Sequence, residues 1–344
     1  MADSMLDEAY ERLRHTGPER DGWLSNHAPM AVEALVHHGH DRAVHRWLDS
    51  YADRLEERPR GIRPIPASEW RDPLGDPVRS GDWLDHFDRE LAGQPWREVL
   101  GRWWPRLLPG IAAGATHGVI RVGHAVRAIL DTETAPRVSE LGRGLAYWAA
   151  RWQPLAPPGR GPYPATDPRS AFDRVPRVPD QRFGIRARLA QLADLDQWEV
   201  AAGVVPGSPG QDVPARLAAI VDAAVAQHDT HGYANPVMLV HAATAPNAVL
   251  RALPALPHAL WAPSLDAAWA AAAAVTAAYA PARARRAGQT GARLHPEELM
   301  RLAAASGDAH AIKFVDAAID AHTRRGDAAV LATAARSIRQ ITAD

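Results

Sequence analysis

The chain has 344 residues, of which 47% are hydrophobic, with a net charge of -1 and no cysteine. That length can bury a large core. The balanced charge offers no basic excess for a phosphate backbone, and the missing cysteines exclude disulfides, thiolate metal sites and cysteine nucleophiles.

The N-terminal segment Met1-Ala-Asp-Ser-Met-Leu-Asp-Glu is acidic and lacks an apolar signal core. Beyond it, Met30–His37 and Val44–Leu55 have the apolar spacing of two short helices. A third, Trp83–Leu91, follows Asp82, a residue suited to cap it. Trp96–Trp104 is a fourth, and Pro105 then stands where another helix could begin. The stretch from Leu107 to Leu130 is long and apolar, interrupted by Pro109 and glycines. Further helices are expected at Val138–Trp152, Ile185–Leu195, Pro214–His228, Pro236–Leu253, Leu265–Tyr279, Pro296–Ser306, Asp308–Arg324 and Ala328–Ile341. The longest apolar run, Ala267 to Ala282, is mostly alanine and too weakly hydrophobic to span a bilayer. Period-two strand signals are scarce. The fold expected is all-α: one large bundle-like domain over residues 1–344, with two Pro-rich loops. These are Pro59–Pro77 and 154–179, and the second is long enough for a lid or a linker. A cytoplasmic protein with no nucleic-acid or membrane partner is expected.

Sixteen histidines, twelve tryptophans and a single lysine, Lys313, stand out against this background. Histidine is the commonest neutral metal ligand and the usual acid–base group near neutrality. Lysine, unlike arginine, can lose its charge, and Lys313 lies one helical turn after His310. The densest segment runs from Trp103 to Arg127. Gly110, Gly114 and Gly118 recur in it every four residues, so either a neighbouring helix or a ligand must approach closely. His117 and His124 are seven residues apart, on one face and about 10.5 Å apart along a helix axis. That is too far for one metal, so one as ligand and the other facing substrate is the more economical arrangement. Arg121 and Arg127 on the same helix need acidic partners or an oxygen-bearing ligand. Asn26-His27 precedes a helix, where Asn26 could cap it. His241 lies on an apolar helix, where a hydrogen-bonded core role is the commoner one. The pair His228-Asp229 resembles the metal-bridging dipeptide of helical phosphohydrolases, although His40-Asp41 repeats it. No dinucleotide fingerprint, phosphate loop, nucleophile elbow or His-Glu-x-x-His is present.

The run Trp103-Trp-Pro-Arg-Leu-Leu-Pro-Gly with Thr116-His-Gly-Val-Ile-Arg-Val-Gly-His-Ala-Val-Arg127 resembles the hallmark of the questin oxidase family. Asn26-His27, Leu74-Gly-Asp76 with Asp82-Trp83, Val240-His-Ala-Ala-Thr244 and His310-Ala-Ile-Lys313 follow in that family's order. The resemblance implies a non-haem Fe(II) oxygenase of secondary metabolism that opens the ring of an aromatic polyketide or inserts oxygen beside a quinone carbonyl. It implies metal ligation by His27, His117, His241 and His310. Lys313 would join them as a neutral amine or a carbamate, or act as a cation beside a substrate phenolate. His124 is then the acid–base candidate, while Arg121 and Trp104 are candidates for holding the substrate. O2 and a small aromatic molecule would be the partners. With no dinucleotide site, any reductant such as NADPH would act from outside. Two rivals keep other chemistry open: a metal-dependent hydrolase, and a non-catalytic helical binder of a flat apolar ligand.

Overall fold

The computed structural model describes residues 2–156, 167–206, 211–288 and 294–343. These residues are overwhelmingly helical, with three short strands, so the protein is all-α. The chain divides into two compact units, Met1–Pro154 with Arg251–His258, and Leu155–Leu250 with Ala259–Asp344. Among the described residues no helix is long and apolar enough to cross a membrane.

The first unit begins with α1 (Ala2–Leu13), which is missing from the helices expected above. Its buried residues Leu6, Ala9, Tyr10 and Leu13 nevertheless keep a helical spacing. A small antiparallel sheet follows, in the order β2 (Leu24–Ser25), β1 (Thr16–Arg20), β3 (Leu55–Glu57). Next come α2 (Ala28–His37), α3 (Val44–Tyr51), α4 (Ser80–Gly93), α5 (Trp96–Leu107), α6 (His117–Asp131) and α7 (Ala135–Ala150). Helix α7 packs against α4 and α6, and α2 lies against α1 and α6.

Three expectations are corrected in this unit. Asp82 does not cap α4, which starts two residues earlier; its carboxylate instead accepts from the backbone N–H groups of Ile62 and Arg63 and so pins the 59–77 loop. Pro105 opens no helix. It sits inside the last turn of α5, which runs two residues past it to Leu107. The apolar stretch 107–130 is not continuous either. Gly114, Ala115 and Thr116 are all left-handed, with φ of 55°, 55° and 65°, a conformation that breaks a right-handed helix.

The glycine spacing is explained by α7 and the tryptophan just beyond it rather than by a ligand. A Cβ at Gly110 would meet the Trp152 indole, one at Gly114 the Tyr147 hydroxyl, and one at Gly118 the Trp148 backbone. Trp148 Nε1 then donates to the Gly110 carbonyl at 3.1 Å, and Trp152 Nε1 to that of Leu107 at 3.2 Å.

The second unit contains α8 (Pro168–Asp173), α9 (Ile185–Ala190), α10 (Trp198–Gly203), α11 (Val213–His231), α12 (Pro236–Leu239), α13 (His241–Ala252), α14 (Trp261–Tyr279), α15 (Pro296–Ser306), α16 (Ala309–Arg325) and α17 (Ala328–Thr342). The last two residues of α13 group with the first unit. The element starts follow local chemistry. Asp167, Asp212, Asp308 and Asp327 each accept backbone N–H bonds at a helix N-terminus. Gly307 and Gly326, both left-handed, end α15 and α16. Helix α17 packs on α11 and α16, and α14 on α11. Of the expected lid or linker at 154–179, residues 157–166 lie outside the described residues, and α8 occupies part of the rest.

Candidate functional site

In the first unit the residue before α2 and the first residue of α6 bring two imidazoles together. His27 Nε2 and His117 Nε2 are 2.7 Å apart, the rings stacked with centroids at 4.5 Å. Both side chains are buried. Asn26 shapes this corner: its Oδ1 accepts from the Ala28 N–H and its Nδ2 donates to the Gly17 carbonyl. The left-handed run before α6 shapes the other side, because it turns the Gly114 carbonyl onto His117 Nδ1 at 2.6 Å. A carbonyl only accepts, so His117 carries its proton on Nδ1 and a lone pair on Nε2. Two ligand nitrogens at right angles on a metal, each about 2.1 Å from it, would be about 3 Å apart. The observed separation is close to that edge, so the pair can hold a metal ion.

His124 sits two turns further along α6. Its Nδ1 is 2.6 Å from Glu33 Oε2, and Arg127 clamps the same carboxylate with Nε at 2.7 Å and Nη2 at 2.5 Å. Burial alone would raise the Glu33 carboxyl, but Arg127 and then His124 outweigh it and hold the group well below the usual carboxylate range. Arg251 Nη1 approaches His124 Nε2 at 3.4 Å, which makes Nε2 the acceptor and Nδ1 the protonated atom. Arg121 is also buried and gives Glu140 a two-pronged contact, with Nη2 to Oε2 at 2.8 Å. Its Nη1 has no hydrogen-bond partner among the described residues. Trp104 is fully buried, edge-on to Trp148 with centroids 5.5 Å apart. Trp103 packs among Trp70, Trp83, His86 and Phe87.

In the second unit α13 and α16 bring His241 and His310 together, with ring centroids 5.6 Å apart and the rings nearly perpendicular. His241 Nδ1 meets the Met238 carbonyl at 2.9 Å, so its lone pair is again on Nε2. Burial, followed by the charges of Lys313 and His310, pushes His241 well below the ordinary imidazole value. His310 Nδ1 lies 3.4 Å from the carboxylate of Asp308, the residue that also caps α16. Lys313, one turn on, is 1% exposed.

The other histidine motif takes a different course. His228 donates Nε2–H to the Pro236 carbonyl and accepts at Nδ1 from Ser337, while Asp229 is held by Arg336 and the Gly288 N–H. The two side chains of this dipeptide therefore serve separate partners. Glu33, Asp308 and the Gly114 carbonyl were not singled out by the sequence. The one available signal was Glu33 itself, a lone acid in the apolar run Ala28-Pro-Met-Ala-Val-Glu-Ala-Leu-Val36.

Comparison of the sequence with protein-family models and with curated proteins gives no match to either.

Proposed function

We propose that the chain is a non-haem, metal-dependent oxygenase that opens a ring, or inserts oxygen beside a carbonyl, in a flat aromatic or quinone substrate. One observation supports the metal reading. His117, His241 and His310 each have Nδ1 engaged by an acceptor, namely two backbone carbonyls and one carboxylate. Such anchoring orients the ring and leaves Nε2 as the donor, as metal-binding histidines generally require. The oxygenase reading rests on the sequence resemblance.

The candidate ligands are His27 and His117 in the first unit and His241 and His310 in the second. Lys313, as an amine or carbamate, is the further candidate there. Imidazole suits iron, zinc, copper and nickel alike, and iron is the choice the resemblance implies. Bound iron(II) would supply the one-electron chemistry that lets O2 react with a closed-shell aromatic. His124 would hold a proton at Nδ1 toward Glu33 and take a substrate proton at Nε2. Glu33 would stabilise the resulting imidazolium, as a buried carboxylate behind a histidine does, against the opposing charge of Arg251. Arg121 would offer its remaining N–H groups to a substrate oxygen, and Trp104 would stiffen the wall behind α6. Reducing equivalents would come from a hydroquinone substrate or from an outside donor such as NADPH.

Metal analysis of protein purified without added metal tests this reading. The expected result is iron, lost in His117→Ala and in His241→Ala with the far-UV circular dichroism unchanged. Zinc or manganese would point to hydrolysis, and no metal to a binding protein. Full metal content in both variants would overturn the ligand set.

A further inference from the structure

The segment Gln227-His228-Asp229-Thr230-His231 at the end of α11 has no part in the reading above, yet it borders a cavity of about 430 Å³ in the second unit. That is within the range of small-molecule pockets. The buried ring of Phe172 and the alanines Ala223 and Ala226 give it apolar walls, and the exposed residues Arg169 and Asp173 stand at its rim.

Two polar groups on the wall are left with unused bonding capacity. Thr230 Oγ1 lies 3.1 Å from the Gln227 carbonyl and 2.8 Å from His231 Nδ1, and the His231 ring also hydrogen-bonds the Gln227 backbone. The Thr230 contact is made through Nδ1, which makes Nε2 the nitrogen for a ligand to meet. Burial, and then the charge of Arg177, lower the His231 pKa and keep the ring neutral. Gln227 is 7% exposed, and its Oε1 accepts from the Thr276 hydroxyl at 3.1 Å, which fixes the amide orientation. Its Nε2 has no hydrogen-bond partner among the described residues. A ring nitrogen that carries a proton or a lone pair according to tautomer, beside an amide donor on the adjacent turn, is met in either case by a group that both donates and accepts, which is a hydroxyl. The cavity is not built for an anion. Arg336 is neutralised by Asp229 at 2.7 Å, and an anion would face Asp173 and Asp229.

We propose that this cavity binds a neutral hydroxylated aromatic molecule, its ring against Phe172 and its hydroxyl shared between His231 Nε2 and the Gln227 amide. The site uses none of the metal-ligand candidates, so it stands or falls separately from the oxygenase reading.

The test is calorimetric titration of the full chain, stripped of metal, with 2-naphthol at pH 7.5, and with naphthalene and 2-naphthoate for comparison. Saturable one-to-one binding of 2-naphthol is expected, with both comparison compounds about tenfold weaker or worse. Gln227→Leu and His231→Phe should each weaken 2-naphthol by about tenfold, the scale of one buried hydrogen bond. Ala226→Trp, at a half-buried position, should fill the cavity and abolish binding. If that variant loses its helical signal, Ala287→Trp from the exposed loop serves instead. No binding by the parent would overturn the proposal, as would naphthalene or naphthoate binding equally tightly. Unchanged binding in the cavity-filling variant would do the same.

Discussion

Glycine-to-alanine substitution should have opposite signs at two helical positions of the first unit. Gly101 lies inside α5, where an added Cβ would meet only the Pro257 ring, at 3.6 and 3.7 Å. That is ordinary contact, so Gly101→Ala should collect the full helix-propensity gain of about 1 kcal/mol. Gly118 lies inside α6, where the same Cβ would stand 2.6 Å from Trp148 Cβ and Cγ and 2.9 Å from its Cα. Carbon atoms prefer about 3.5–4.0 Å, so α6 and α7 must separate by roughly 1 Å. No rotamer change relieves this, because the Trp148 backbone itself is in the way and its indole is bonded to Gly110. Overpacking of this kind costs about 1–3 kcal/mol. After the propensity gain is subtracted, Gly118→Ala should be net destabilising by up to about 2 kcal/mol. In a unit of this size each kcal/mol moves the midpoint by about 2–4 °C. Thermal unfolding followed by circular dichroism should therefore show Gly101→Ala melting a few degrees above the parent and Gly118→Ala a few degrees below. A Gly118→Ala protein as stable as Gly101→Ala would refute the close approach of α6 and α7.

Lys313→Arg should reduce bound metal and abolish turnover, because arginine keeps its charge and needs more room at a position that is 1% exposed; parent-like metal content and turnover would make the lone lysine an accident of composition. Acid should weaken the fold through His228. Burial holds this group at about 4 in the folded protein against 6.5 for a free imidazole, so between those values the unfolded chain binds the extra proton. Stability should fall as pH drops from 6.5 toward 4, by up to about 3 kcal/mol at 1.4 kcal/mol per unit. Urea midpoints of the parent and His228→Gln across that range check this, and equal slopes for the two would rule it out.

What was legible in the sequence was local. Helices α11, α15, α16 and α17 announce themselves through Asp or Pro at their starts and Gly after α15 and α16, so their bounds fall close to expectation. Helices α8 and α10, by contrast, are missing from those expected, and the helix expected over Pro236–Leu253 is divided into α12 and α13. Histidines could be singled out because their chemistry is carried by residue type alone. The break before α6 could not be, since neither Ala115 nor Thr116 is a residue that favours the left-handed backbone it adopts. The partners of the histidines were hidden as well. Glu33 meets His124 across 91 positions of sequence, and no periodicity reports a contact of that separation. Asp308 was within reach of inspection, yet its cap role masks its second one, steadying His310.

The burial of Lys313 gives the protein a built-in reporter. Amine-reactive reagents will find one lysine in the whole chain, and in the folded state that amine is shielded inside the second unit. Modification of Lys313 therefore requires α16 to open, and at low reagent concentration its rate measures the free energy of that opening, as amide exchange does. The mass shift of the peptide that carries Lys313, read apart from that of the N-terminal amine, would follow the stability of that helix under any added metal or ligand. Conditions that protect the amine would be those that bind near it or tighten the helices around it.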